Sequence, residues 1–151
     1  MKLNRREVLG FGAAAVVVAT LPASIGPAIA AGETADDAIK AFTGGAAMGE
    51  GAVKLTTPEI AENGNTVPVS VKVDSPMTAD DHVQEVMIVA SGNPNPGVAT
   101  FKFSTMSGEA SASTRIRLAK TQDIVAVAKM SDGSFQMAKN TVKVTIGGCG
   151  G

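Results

Sequence analysis

The only cysteine of the 151-residue chain, Cys149, lies between two pairs of glycines at the C-terminus. A cysteine becomes a nucleophile as its thiolate, which makes Cys149 a candidate reactive group. Glycine has no Cβ and adopts positive φ readily. The sulfur would therefore be attached through a flexible segment made of Gly147, Gly148, Gly150 and Gly151. Three extended residues after Ile146 span about 10 Å. The pattern predicts a flexible arm over 147–151 that enters a cleft of a partner protein.

The rest of the sequence offers little chemistry of its own. His82 is the only histidine, so a zinc or iron site would lack its usual ligands. Neither a phosphate-binding nor a dinucleotide-binding glycine motif occurs. The cation nearest to Cys149 in sequence is Lys143, so the active site that receives the arm must activate the thiol. We therefore predict a carrier with no catalytic residue, metal or cofactor, and not an enzyme.

The N-terminal segment has the layout of an export signal. Arg5 and Arg6 precede an apolar stretch over 10–25, and small residues follow at Ala28 and Ala30. This layout is typical of a twin-arginine (Tat) signal peptide over 1–30. We expect cleavage after Ala30, a periplasmic location and no membrane attachment of the mature protein. A protein outside the cytoplasm with one cysteine cannot form an internal disulfide bond, which favours a reactive thiol.

Composition argues against nucleic acid as a partner. The formal net charge is -1 at pH 7, and the chain has no Trp and no Tyr. A nucleic-acid-binding domain usually carries a basic patch, and aromatic side chains often stack on the bases. The sequence has no basic excess and its only aromatic residues are five Phe, so we expect no nucleic-acid partner.

The mature chain begins with one short predicted helix and continues as strands. Thr34 can cap a helix near 34–43, and Gly44 and Gly45 can end it. From about Val53 onward, apolar and polar residues alternate, most clearly over 67–73. Roughly seven such segments predict an all-β, immunoglobulin/fibronectin-like antiparallel β-sandwich over 31–146, with the helix before it and the arm after it.

The pattern of the final strands predicts specific local features. Asp132-Gly133 predicts a two-residue hairpin turn. In the strand that follows, the apolar residues are odd-numbered at first and even-numbered from Val142 onward. This change predicts a bulge or break between Ala138 and Thr141. The nearly continuous apolar run at 124–128 predicts a strand covered on both faces, and it is the first candidate for part of a partner surface.

The terminal pentapeptide, the twin-arginine leader and the all-β body together resemble the SoxY family, the sulfur-carrier subunits of the bacterial Sox thiosulfate-oxidation system. The Gly-Gly-Cys-Gly-Gly ending is the most specific part of this resemblance, and the segments 114–119 and 131–133 are less diagnostic. The resemblance implies that Cys149 is the covalent attachment site. It also implies that Gly147, Gly148, Gly150 and Gly151 form the carrier arm.

The resemblance further implies a set of partners. A SoxZ subunit would form a heterodimer with the chain, and the c-type cytochrome complex SoxAX would conjugate thiosulfate to the cysteine oxidatively. The sulfohydrolase SoxB would then release sulfate, and the sulfane dehydrogenase SoxCD would oxidise the remaining sulfur where that enzyme is present.

Two other functions fit parts of the sequence. Ubiquitin-like carriers end in Gly-Gly and hold sulfur as a thiocarboxylate on the last residue, here Gly151. They are cytoplasmic, so the leader and Cys149 argue against this class. Alternatively, an exported binding module could crosslink two copies through Cys149.

Overall fold

The computed structural model describes residues 33–148, which form one α-helix, nine strands and one short turn of 3₁₀ helix. The elements in chain order are α1 (Ala35–Thr43), β1 (Met48–Glu50), β2 (Val53–Thr56), β3 (Ile60–Asn63), β4 (Val67–Val73), β5 (Val83–Ala90), β6 (Gly97–Lys102), the 3₁₀ turn (Thr105–Ser107), β7 (Ala110–Ile116), β8 (Gln122–Met130) and β9 (Phe135–Ile146). Among these residues, no helix combines the length and the apolar character needed to cross a membrane.

The strands form two sheets that enclose the main core. The larger sheet has the order β1-β9-β8-β5-β6, with β3 also paired to β9, and the smaller sheet has the order β2-β4-β7. Most neighbours are antiparallel, whereas β1 and β3 run parallel to β9. The alternating valines of β4 point into the core between the sheets. The prediction of an all-β, immunoglobulin-like sandwich with one short helix is confirmed.

Helix α1 begins and ends at the predicted residues and packs on the larger sheet. The Thr34 hydroxyl donates a hydrogen bond to the Asp37 carboxylate at 2.6 Å and accepts one from the Asp37 N–H at 3.2 Å. Gly44 ends the helix with a φ of 65°. Phe42 meets Phe135 edge to face, with ring centroids 5.9 Å apart. The helix therefore covers a second apolar cluster on the outer face of the larger sheet.

The cap of α1 gives the fold an acid sensitivity that can be measured. Hydrogen bonds from Thr34 hold the pKa of the Asp37 carboxyl below its usual range. Because the folded pKa is lowered, the stabilisation is complete above the unfolded pKa and is lost as the pH falls through the folded pKa. We expect Asp37→Asn to lower the Tm near pH 7 and the difference from wild type to shrink as the pH falls through the acidic range.

Circular dichroism melts across this pH range measure the effect. Asp36→Asn is the matched control, because Asp36 lies in the same helical turn but outside the Thr34–Asp37 capping box. We expect this control to change the Tm less. A difference between Asp37→Asn and wild type that stays constant down to pH 2 would contradict the assignment.

Strand β9 runs without the bulge that the sequence predicts between 138 and 141. It pairs with β8 in one continuous register. Phe135 and Met137 belong to the outer cluster beneath α1, whereas Val142 and Val144 face the main core. The prediction of a bulge is wrong because both faces of the larger sheet are covered. Apolar residues can therefore change face along the strand while the register stays the same.

The β8–β9 hairpin forms where it is predicted, but its turn is longer. The Met130 N–H donates to the Ser134 carbonyl at 2.9 Å, which closes a loop over 131–133. Gly133 has a φ of 84°, and the Asp132 carboxylate accepts a hydrogen bond from the Ser134 N–H at 2.8 Å. The turn thus has three residues with glycine in the left-handed position, in place of the predicted two-residue turn.

The apolar run at 124–128 lies in β8, between β9 and β5. Ile124 and Ala126 point into the main core, and Val125 and Val127 point into the outer cluster beneath α1. The prediction that both faces are covered is confirmed. The proposal of this run as a partner surface is wrong, because the chain itself buries all of these side chains.

Candidate functional site

The structure describes the first two residues of the predicted carrier arm. Gly147 and Gly148 directly follow β9, which is therefore the strand that leads to the arm. The other predicted site residues lie outside the described residues: Cys149, Gly150, Gly151, Arg5 and Arg6. The site can be described up to the residue that precedes the cysteine.

A ring of backbone hydrogen bonds, here called the clasp, joins Gly64, Leu118, Ile146 and Gly148. The Gly64 N–H donates to the Ile146 carbonyl at 2.7 Å, and the Leu118 N–H donates to the Gly64 carbonyl at 2.8 Å. The Gly148 N–H donates to the Leu118 carbonyl at 2.9 Å. The clasp thus connects the β3–β4 turn, the segment after β7 and the end of β9. It fixes the arm to the sandwich one residue before Cys149.

Glycine is required in the clasp because the backbones approach closely. A Cβ on Gly64 would collide with the Leu118 carbonyl and lie 2.7 Å from the Gly148 nitrogen. A Cβ on Gly147 would collide with the Ala119 carbonyl, and one on Gly148 would lie 2.8 Å from the Gly64 oxygen. The sequence predicts a flexible segment at Gly147 and Gly148. The structure differs at these two residues, which are glycines because the packing leaves no space for a side chain.

Two buried polar side chains hold the backbone on both sides of Leu118. Asn93 is 7% exposed and Gln122 is 6% exposed. The Asn93 Nδ2 donates to the Arg117 carbonyl at 2.8 Å, and its Oδ1 accepts from the Ala119 N–H at 3.1 Å. The Gln122 Nε2 donates to the same Oδ1 at 2.9 Å. The residues on both sides of Leu118 are therefore held, which orients its carbonyl toward the arm.

Sequence reasoning misses Gly64, Asn93 and Gln122 as supports of the arm. Gly64 lies between two asparagines, which is a pattern of an ordinary turn, and Asn93 precedes a proline in a loop. Each contacts the arm or the Leu118 segment only after the chain has folded. No spacing in the sequence marks these contacts, because they join segments that are far apart along the chain.

The segment that holds Gly148 in the clasp carries two basic residues. Gly148 is hydrogen-bonded to Leu118, which has Arg117 directly before it and Lys120 two residues after it. Both side chains are exposed. This segment therefore adds two exposed basic residues to Lys143, the cation nearest to Cys149 in sequence.

His82 lies at the other end of β9 from the arm. Its N–H donates to the Ser131 Oγ at 3.0 Å, and its Nδ1 lies 3.0 Å from the Thr78 carbonyl oxygen. Ser131 belongs to the hairpin turn before β9, and a strand of this length spans roughly 35 Å. His82 is therefore too distant to act as a base at the arm of the same chain. Within residues 33–148, no group of three or more His, Cys, Asp or Glu residues is placed to hold a metal ion.

Comparison with known proteins points to one family. A family model described as "Sulfur oxidation protein SoxY" matches residues 39–149. Among solved structures, the chain is similar to the sulfur carrier protein SoxY from Chlorobium limicola f thiosulfatophilum, with 37% sequence identity and a TM-score of 0.61. The alignment covers 74% of this chain and 96% of that chain. A comparison with curated proteins finds no match.

Superoxide reductases share the fold at lower identity. The superoxide reductase (neelaredoxin) from Ignicoccus hospitalis is 20% identical with a TM-score of 0.56, and the alignment covers 62% of this chain and 80% of that chain. The superoxide reductase from Nanoarchaeum equitans is 11% identical with a TM-score of 0.53, over 63% of this chain and 99% of that chain. At such identities the similarity concerns the fold alone, because one fold supports many functions.

Proposed function

Because the chain belongs to the SoxY family of sulfur oxidation proteins, we propose that it is a sulfur carrier that binds its substrate covalently through Cys149. The position of the only cysteine in the sequence supports this proposal most. It is the last residue of the family match, and it directly follows Gly148, which the clasp fixes to the sandwich. The thiol is therefore the reactive group, and the sandwich is its support.

The proposed reaction has two balanced steps. In the first, a bond forms between the Cys149 sulfur and the sulfane sulfur of thiosulfate. The thiol proton is released, and an electron pair passes to a c-type cytochrome. In the second, water cleaves the bond between the sulfane sulfur and the sulfonate group. The oxygen of water leaves with sulfate and its two protons are released. The electron pair of the broken bond stays on the sulfur that remains attached to the cysteine.

Both steps need groups that partner enzymes supply. His82, the only histidine of the sequence, is hydrogen-bonded to the hairpin turn at the far end of β9 and is too distant to serve as a base at the arm. We propose that SoxAX accepts the electrons, that SoxB activates the water and that SoxCD oxidises the remaining sulfur. The carrier itself contributes the thiol and uses no bound cofactor or metal.

The proposed location and assembly follow from the same family. Arg5 and Arg6 direct export by the twin-arginine route, with cleavage after Ala30, and the mature carrier works in the periplasm. A SoxZ subunit binds the chain as a heterodimer and is exported with it in the folded state. N-terminal sequencing of the exported protein tests the cleavage site separately from the chemistry.

Mass spectrometry of the native exported protein tests the carrier proposal. After exposure to thiosulfate and the conjugating cytochrome complex, we expect a thiosulfate adduct on the C-terminal peptide, assigned to Cys149 by fragmentation. A reducing agent should remove it, because the adduct contains a sulfur–sulfur bond. An adduct found only on Gly151 would indicate the thiocarboxylate class instead. A disulfide-linked dimer as the only modified species would indicate the crosslinked binding module.

A further inference from the structure

We propose that Gly64 is a positioning residue for the carrier arm, because it closes the clasp that fixes the chain as far as Gly148, the residue directly before Cys149. This inference rests on the proposed carrier function. It adds a residue 85 positions before the cysteine along the chain. It also gives the glycines before Cys149 a role other than mobility.

Gly64 is the residue on which the clasp depends most. It is buried, and both its N–H and its carbonyl take part in the clasp. A side chain at this position would meet the Leu118 carbonyl and the Gly148 nitrogen together. Even an alanine would therefore push apart the two backbones that hold the arm. The φ of Gly64 lies outside the left-handed region, so close packing is the requirement here.

The clasp determines how far the thiol can reach. When it is closed, the Cys149 Cα lies about 3.8 Å from the Gly148 Cα, which is set by the peptide geometry. When it is open, the chain is free from Ile146 onward and gains two residues, or about 7 Å. The closed clasp thus keeps Gly148, the residue directly before the cysteine, against the sandwich beside Asn65. Opening it would let the cysteine enter a deeper cleft.

Hydrogen exchange of the wild-type protein tests the closed clasp directly. We expect the Gly148 amide to be protected, because it donates a hydrogen bond to the Leu118 carbonyl. In Gly64→Ala, we expect it to exchange at least about tenfold faster, while the amides of β8 keep their protection. The matched control is Gly97→Ala, because a Cβ on Gly97 has no atom within 4 Å and its φ is outside the left-handed region.

A spin label on Cys149 provides a second measurement. Its spectrum reports the mobility of the label and does not depend on the global stability, provided that the sandwich remains folded. The single cysteine allows labelling without any substitution. We expect a restricted electron paramagnetic resonance spectrum for wild type and Gly97→Ala, and a sharper, mobile spectrum for Gly64→Ala. An unchanged spectrum in a folded Gly64→Ala variant would overturn the proposal.

Rapid exchange of the Gly148 amide in the wild-type protein would also overturn the proposal, and that result needs no variant to fold. The two hypotheses can fail separately. Lack of a thiosulfate adduct on Cys149, with a protected Gly148 amide, would remove the carrier function and leave the clasp. An adduct together with an unprotected Gly148 amide would remove the clasp and leave the carrier function.

Discussion

Replacement of Cys149 by serine is expected to abolish thiosulfate-dependent sulfate formation in a reconstituted system. A serine hydroxyl cannot form the sulfur–sulfur bond that holds the substrate, so the loss should be complete. The free energy of unfolding should change by less than about 0.5 kcal/mol, because the substituted residue follows the last hydrogen bond of the clasp. Sulfate release and urea denaturation measure the two effects separately.

The matched control removes a different exposed sulfur. Met106 is 94% exposed in the 3₁₀ turn, so Met106→Leu changes an accessible sulfur atom without touching the arm. We expect normal sulfate formation in this variant and normal partner binding in both variants. Retained turnover in Cys149→Ser would falsify the carrier role of the cysteine.

Local sequence patterns predicted the elements whose causes are local. The helix cap depends on Thr34 and Asp37, three residues apart, and both of its hydrogen bonds are present in the structure. The hairpin depends on a glycine that adopts positive φ, and Gly133 does so. In each case the residues that determine the local geometry lie within the element itself. A sequence pattern is therefore sufficient to predict such features.

A local pattern misleads where a distant segment determines the environment of the residues. The alternation of β9 predicted a bulge only on the assumption that the strand has one apolar face. Helix α1 lies about 90 residues earlier in the chain. Its Ile39 and Phe42 cover the other face of the sheet, so that face is apolar as well. The same helix covers the outer side chains of 124–128, which therefore cannot be a partner surface. Neither contact can be inferred from the residues of the strand itself.

The glycines of the arm show a different limit. Glycine is selected both for mobility and for close packing, and the sequence does not distinguish these causes. At Gly147 and Gly148 the distances to the neighbouring backbone identify packing as the cause. The terminal pentapeptide nevertheless identified the family, which the family match and the similar SoxY structure confirm. A motif can thus indicate the family correctly while the role of its individual residues differs.

Leu118 connects the stability of the sandwich to the position of the arm. Its side chain is 0% exposed in the main core, and its backbone makes two of the three hydrogen bonds of the clasp. Loss of core packing at this residue should therefore also loosen the arm. The other buried leucine of the main core, Leu55 in β2, contributes no backbone group to the clasp.

Leu118→Ala is accordingly expected to lower the free energy of unfolding by about 2–5 kcal/mol, the usual cost of a large cavity in a core. Urea denaturation measures this change, and hydrogen exchange of the Gly148 amide measures the clasp in the molecules that remain folded. Leu55→Ala is the matched control, since it removes the same atoms from the same core. We expect it to destabilise the protein but to keep the Gly148 amide protected relative to the amides of β8. Equal loss of Gly148 protection in both variants would show that the arm responds to global stability alone, and that Leu118 has no specific role in holding it.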